Sequence, residues 1–180
     1  MAIHKVHRAT DRDLAVLDRL CGEATSAATA SSSGLAGHRR ERWSPAAWLA
    51  ARLPLVLVEE PAGAVGFAVA LPENVPLGAP RCVEAVVYVT PAQRRRGAGR
   101  ALVGELVAIA RTSGLWKMIA YALPEDAASR ALLARLDFRE VGVLVKHLQL
   151  GGSWRDVALH ERLVLAARRS SPSFSEVDKV

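Results

Sequence analysis

Residues 85–107, AVVYVTPAQRRRGAGRALVGELV, run from an apolar strand through three arginines and two glycines into a helix. The first half is β-branched and aromatic, while the second carries apolar residues at helical spacing. Between them the densest positive charge of the chain sits on a glycine-flanked corner. Nucleic acid, a phosphate ligand and a solvated basic turn are competing readings of that corner. A helix N-terminus presents unpaired N–H groups and the positive end of a dipole, and so attracts phosphate. Gly97 and Gly99 let backbone approach a ligand that a Cβ would block. Arg94, Arg95, Arg96 and Arg100 add long-range attraction and bidentate contacts. The corner lacks the Gly-Lys-Ser/Thr ending of a nucleotide-hydrolysing P-loop, and only two glycines of a GxGxxG order are present.

The rest of the chain narrows the choice. With 180 residues, 51% of them apolar and 23% charged, the sequence reads as one globular domain over 1–167 with a polar tail over 168–180. A net charge of +6 favours an anionic partner without naming it. Aromatic residues make up 5%, thin for stacking on single-stranded nucleic acid, so no nucleic-acid partner is expected. Cys21 and Cys82 form no CxxC pair, and His4, His7, His38, His147 and His160 are scattered, so no metal site is expected. The N-terminal residues have no apolar h-region, and no apolar run reaches the ~18 residues of a membrane span, so the expected location is the cytoplasm, with no membrane partner.

Coarse periodicity orders the elements. A strand over 3–8 precedes a helix whose stripe is Leu14, Leu17, Leu20 and Cys21, with Thr10 and Asp13 as a capping-box variant. Residues 25–42 are small and polar, with a basic segment, GHRRERW, that reads as a solvated stretch near the first two helices. Ser44 and Pro45 start a second helix, and Trp43 and Trp48 read as core. LVLVEE and AVGFAVAL form a hairpin around Pro61-Ala62-Gly63, and PENVPLGAP (72–80) is irregular. After the opening stretch come the strand WKMIAYAL, the helix EDAASRALLARL, and two strands around Gly151-Gly152. The pattern fits an α/β fold with a mixed sheet flanked by helices.

Within RCVEAVVYV (81–89), alternation places Glu84 on one face with Cys82, Val86 and Tyr88. A carboxylate in an apolar strand is either at a surface edge or partly desolvated. Desolvation moves it toward the range of a general base, while an ion pair with Arg81 is the plain structural alternative.

Taken together, these stretches resemble the GNAT superfamily of N-acetyltransferases. RRRGAG resembles its R/Q-x-x-G-x-G/A motif, and VEAVVYV is similar to the V-E-x-x-V-Y-V strand of the phosphinothricin acetyltransferase branch. LPEDAASRALLARLDF resembles that branch's N-x-x-S…L-G-F segment, and GGSWRDV its G-x-W-x-D-V signature. The resemblance implies an α/β fold with a central mixed, mostly antiparallel sheet split between two parallel strands, helices on both faces, and acetyl-CoA as co-substrate. It implies that the amides of Arg95, Arg96, Gly97, Ala98, Gly99 and Arg100 cradle the pyrophosphate, that Arg94 opens the motif, and that the backbone of Val87, Tyr88 and Val89 pairs with the pantetheine arm. It makes Glu84 the general base for direct acetyl transfer to the primary amine of a small amino-acid-like molecule. Asp126 and Ser129 fall at cofactor-binding positions, Arg81 and Trp154 at the acceptor, with Trp154 and Asp156 supporting the sheet's end. A homodimer through the C-terminal strands is implied as well, and the GHRRERW segment becomes a candidate lid over the acceptor pocket.

The departures are specific. The branch's Asn is Asp126 here, for which the alternative role is the N-cap of the following helix. A tyrosine or histidine that would protonate the leaving thiolate aligns with Leu133, and the glycine of L-G-F is Asp137, a residue that tolerates left-handed backbone. Arg81 is the one cation just before Glu84, with Glu73 opposing it, which argues against phosphinothricin itself. Other amine classes (an aminoglycoside, a polyamine, a protein N-terminus) and a non-catalytic CoA-binding module are the rival functions.

Overall fold

A computed structural model describes residues 4–26, 43–73, 81–150 and 152–164. The candidate lid, the irregular PENVPLGAP segment beyond Glu73, and the C-terminal tail lie outside the described residues. Seven strands form one sheet in the order β1-β2-β3-β4-β5-β7-β6. The strands are β1 (Lys5–Arg8), β2 (Leu55–Glu60), β3 (Gly63–Pro72), β4 (Cys82–Val89), β5 (Lys117–Ala122), β6 (Arg139–Leu150) and β7 (Ser153–Leu163). Every neighbouring pair is antiparallel except β4 with β5.

Four helices, α1 (Leu14–Ser26), α2 (Pro45–Ala50), α3 (Ala98–Thr112) and α4 (Ala127–Ala134), cover the two faces. The apolar stripe of α1 buries Leu17, Leu20, Cys21 and Ala24. They join Trp48, Phe67, Val69 and Tyr88 in one core layer, where Trp43, Trp48 and Phe67 meet ring to ring within 6.0 Å. On the opposite face α3 buries Leu102, Val103, Leu106 and Val107 against Val56, Ala68, Ala70, Val83 and Ala85. Burying a Leu or Val side chain contributes about 1.5–3 kcal/mol, so these two layers supply the main driving force for the sheet.

Local signals read from the sequence act as expected. Asp13 reaches back to accept from the Thr10 amide at 2.8 Å, ahead of α1. Ser44 Oγ accepts from the Ala47 amide at 3.3 Å, with Pro45 opening α2. Asp137 adopts φ +58°, the left-handed geometry that the branch's glycine serves. The β6–β7 hairpin bulges where Leu144 pairs with Val157 but Leu148 with Arg155, so three residues of β6 face Asp156 alone.

Candidate active site at the β4–β5 fork

The parallel pair is short. β4 runs alongside β3 from Val83 to Val89, but alongside β5 only from Cys82 to Glu84. Past Ile119, β5 continues to Ala122 paired with β7. The two strands therefore diverge just after Glu84, and from Ala85 to Val89 the β5-facing edge of β4 has no strand partner among the described residues. Such an edge offers backbone donors and acceptors to an extended ligand in the manner of an added strand. The Val89 carbonyl accepts from Arg94 Nε at 3.0 Å, which ties the end of β4 to the corner that follows.

At that corner a 3-10 turn over Pro91–Gln93 leads to Arg95 at φ +64°, Gly97 at φ +100° and the start of α3. The segment 94–97 is a turn, and the first α3 amide to bond back to the corner with good geometry is that of Ala101, to the Gly97 carbonyl at 3.0 Å. Successive amides freed by left-handed residues at a helix N-terminus make a concavity suited to an anion. Ala98 is buried, whereas Arg94, Arg95, Arg96 and Arg100 remain exposed around the rim. A Cβ on Gly99 would lie 3.1 Å from Leu132 Cδ2, so this glycine lets α3 start close against α4. The corner is therefore open, with a helix N-terminus at its base and cations at its rim, a fit to the pyrophosphate that the sequence resemblance implies.

Glu84 stands at the fork. Val86 and Tyr88 belong to the core layer under α1 and α2, and Val83 and Ala85 to the layer under α3. Alternation therefore places Glu84 on the α1/α2 side, half-buried. Its cross-strand row reads Leu71, Glu84, Ile119, Glu161, Arg139. Glu161 pairs with Lys117 and Arg139, and the Lys117 hydrogen bond, seconded by Arg139, holds its carboxyl below the usual carboxylate range against the opposing effect of burial. Along the same face, the Tyr88 hydroxyl donates to Glu23 Oε2 at 3.4 Å. Burial, then the Glu23 charge, pushes this phenol up. Arg81, exposed at φ +74° just before β4, turns Nη1 toward the Gly114 carbonyl at 3.5 Å.

The structure thus brings Glu84, Val87, Tyr88, Val89 and the 94–100 corner into one continuous path, with Arg81 at the other end of β4. Asp126 caps α4: Oδ1 accepts from the Ser129 amide at 3.0 Å and Oδ2 from the Ser129 hydroxyl at 2.8 Å. Leu133 is buried in the α3-side core and offers no proton donor. Trp154 is not brought to Glu84 within one chain. It is 61% exposed on the part of β7 that pairs only with β6, seven residues and roughly 23 Å along the strand from Glu161. Asp156 accepts from the Lys146 amide at 2.8 Å inside the β6 bulge, which is a supporting contact. His160 is buried and His147 exposed, and among the described residues no cluster could hold a metal. No described helix is long and apolar enough to cross a membrane.

Sequence reasoning missed two residues on this path. Gly66 lies against the Tyr88 carbonyl, and His4 against the Arg96 carbonyl. Neither carries a local signal, because each matters only through an element distant in sequence.

Comparison with known proteins places the chain. The phosphinothricin acetyltransferase from Sinorhizobium meliloti, solved with acetyl-CoA, is 23% identical with a TM-score of 0.75, covering 96% of this chain and 94% of that one. The ribosomal-protein-alanine N-acetyltransferase from Brucella melitensis is 27% identical with a TM-score of 0.73, covering 88% and 99%. The protein YncA from Salmonella typhimurium, solved with its cofactor acetyl-CoA, is 23% identical with a TM-score of 0.76, covering 95% and 99%. No protein in the curated set matches the sequence. Residues 23–138 match the model of the acetyltransferase (GNAT) family, a span that holds Glu84, the 94–100 corner and the capped α4. The chain belongs to the GNAT acetyltransferase family and is an N-acetyltransferase with acetyl-CoA as its co-substrate.

Proposed function

We propose that this enzyme acetylates the primary amine of a small, amino-acid-like molecule by direct transfer, with Glu84 as the general base. The observation that carries the reading is the fork itself, where Glu84 is the last β4 residue paired with β5. The unpartnered edge of β4 beyond it leads to the amides of the 95–100 corner. With the pyrophosphate on those amides and the pantetheine along Val87–Val89, the thioester lies toward Glu84. Glu84 takes a proton from the acceptor ammonium, directly or through a water. The neutral amine attacks the thioester carbon, the C–S bond breaks with its electron pair on sulfur, and the second proton of the acceptor nitrogen passes to water as the amide forms. A thiol of ordinary pKa near 8.5 departs as thiolate without a proton in hand, so buried Leu133 in place of an acid is compatible with turnover. Arg81 is the cation for an acceptor's carboxylate. The Asp126 carboxylate is committed to its cap on Ser129, so the cofactor contact at this position passes to the α4 backbone and Ser129.

The single domain, the cytoplasmic location and the homodimer belong to the same reading. Exposed Val141, Val143, Val145 and Trp154 on the β6–β7 hairpin support a dimer through these strands. Such a pairing is the setting in which Trp154 can take part. A protein N-terminus is the second acceptor class, favoured by the likeness to the ribosomal-protein-alanine N-acetyltransferase.

Free-thiol release from acetyl-CoA tests the reading, with methionine sulfone, phosphinothricin, plain amino acids, polyamines, aminoglycosides and N-terminal peptides as acceptors. Turnover is expected on the amino-acid-like set. Glu84→Gln should lower kcat at neutral pH by roughly 10²–10⁴-fold, the range of general-base catalysis, with acetyl-CoA binding near normal. Unchanged turnover in that variant removes Glu84 as the base, and turnover on peptides alone transfers the reading to the second class.

A further inference from the structure

The chain enters the sheet through His4, one residue ahead of β1, and its imidazole reaches the cofactor corner 92 residues away. His4 Nε2 lies 2.7 Å from the Arg96 carbonyl oxygen. A carbonyl only accepts, so Nε2 carries the proton in this contact. The other ring nitrogen, Nδ1, lies 3.5 Å from Glu60 Oε1 at the end of β2, and the two side chains are only 10% and 11% exposed. The ring also lies against Gly97, where an added Cβ would stand 3.4 Å from Nε2. An imidazole nine-tenths buried and bonded to a loop carbonyl is a built contact, unlike a passing surface bond.

Its consequence follows from peptide geometry. In a planar trans peptide the carbonyl of one residue and the N–H of the next point in opposite directions. Holding the Arg96 carbonyl on His4 therefore turns the Gly97 N–H away from the ring, outward from the loop. The same carbonyl is the natural i−4 acceptor for the Arg100 amide. Yet no bond between them forms, whereas the next amide, Ala101, does bond back to Gly97 at 3.0 Å. His4 thus engages the carbonyl that could draw Arg100 N–H back into the helix. Two amides of the corner are presented together by one side chain that never meets the ligand.

We infer that His4 is a positioning residue that sets the Arg96–Gly97 peptide so that the Gly97 and Arg100 amides face the pyrophosphate of acetyl-CoA. The inference rests on the reading that this corner carries the pyrophosphate. CoA binding to the wild-type enzyme, measured by titration calorimetry, tests that reading by itself. In His4→Ala the dissociation constant for CoA should rise roughly tenfold, about the effect of one hydrogen bond lost from an otherwise intact site. KM for acetyl-CoA should follow, with kcat changed by about twofold or less. His4→Gln, whose side-chain amide can still donate to the Arg96 carbonyl, should recover most of the loss. Turnover with S-acetylpantetheine, which has no pyrophosphate, should be the same in wild type and His4→Ala, a discrimination that general loosening of the fold does not produce.

Equal CoA affinity in wild type and His4→Ala overturns the inference, as do equal losses with both donors or a glutamine variant no better than alanine. Where the alanine variant does not fold, His4→Phe, which keeps a ring but has no donor, must weaken CoA binding several-fold without touching S-acetylpantetheine turnover; no change there also overturns it. A wild-type enzyme that binds no CoA overturns the corner reading and this inference together.

Discussion

A Cβ placed on Gly66 would lie 2.5 Å from the Tyr88 carbonyl oxygen and 3.2 Å from Val89 Cα. The first separation is shorter than real Cβ contacts allow, and both obstacles are backbone. Leu102 Cδ1, at 3.3 Å, closes the α3 side, so the new methyl has no way out. Glycine at 66 is what lets β3 run close to the segment of β4 proposed to receive pantetheine. Gly66→Ala is therefore expected to destabilise the protein by about 1–3 kcal/mol, the usual cost of overpacking a tight core. It should also weaken acetyl-CoA binding, because the strain is relieved by moving Tyr88 and Val89. Urea unfolding and cofactor titration read the two effects, and a variant normal in both contradicts this account. The sequence shows only a glycine inside an apolar run, and nothing local distinguishes it from Gly104, whose Cβ would meet nothing.

At the scale of elements, the β6–β7 hairpin depends on one aspartate. Asp156 faces the three-residue bulge 145–147 and accepts from the Lys146 amide, which stands at φ +46°. Without that acceptor the left-handed turn loses the bond that offsets its strain. Asp156→Ala should cost about 1–2 kcal/mol and speed hydrogen exchange at the Lys146 amide, while acetyl transfer, proposed to depend on Glu84 on the other side of β5, persists. Unaltered exchange at Lys146 refutes the role. Where an element's signal is local, the sequence made it legible: the α1 stripe, the Ser44-Pro45 start, the Pro61-Gly63 hairpin and the Asp126 cap all appear as read. The fork was legible only through resemblance, since no periodicity announces that β4 and β5 part after Glu84. The bulge, Gly66 and the His4 clamp were not legible, because each is a meeting of backbone and side chains that chain topology alone brings about.

On the scale of the whole molecule, β5–β7 pairing is the sheet ladder that joins the hairpin to the rest of the sheet. Glu161 on β7 sits at that seam, pairing with Lys117 of β5 and Arg139 of β6 at once. The Lys117 hydrogen bond chiefly, and Arg139 after it, favour the charged form and lower the folded-state pKa of Glu161. A carboxyl whose folded pKa lies below its unfolded value near 4.3 stabilises the fold above that value. The contribution fades as pH falls through the lower, folded-state pKa. Glu161→Gln should therefore be less stable than wild type by about 1–2 kcal/mol at pH 7, given that Lys117 and Arg139 are partly solvated. The gap should shrink as the pH is lowered from 5 toward 3, where the wild-type carboxyl takes up a proton and loses its advantage. Paired thermal unfolding of wild type and variant across that range isolates this one group from every other titration in the molecule. A gap that stays constant from pH 7 to pH 3 would mean that Glu161 holds the seam by packing alone. A gap that closes assigns acid sensitivity to the junction between the catalytic fork and the C-terminal hairpin.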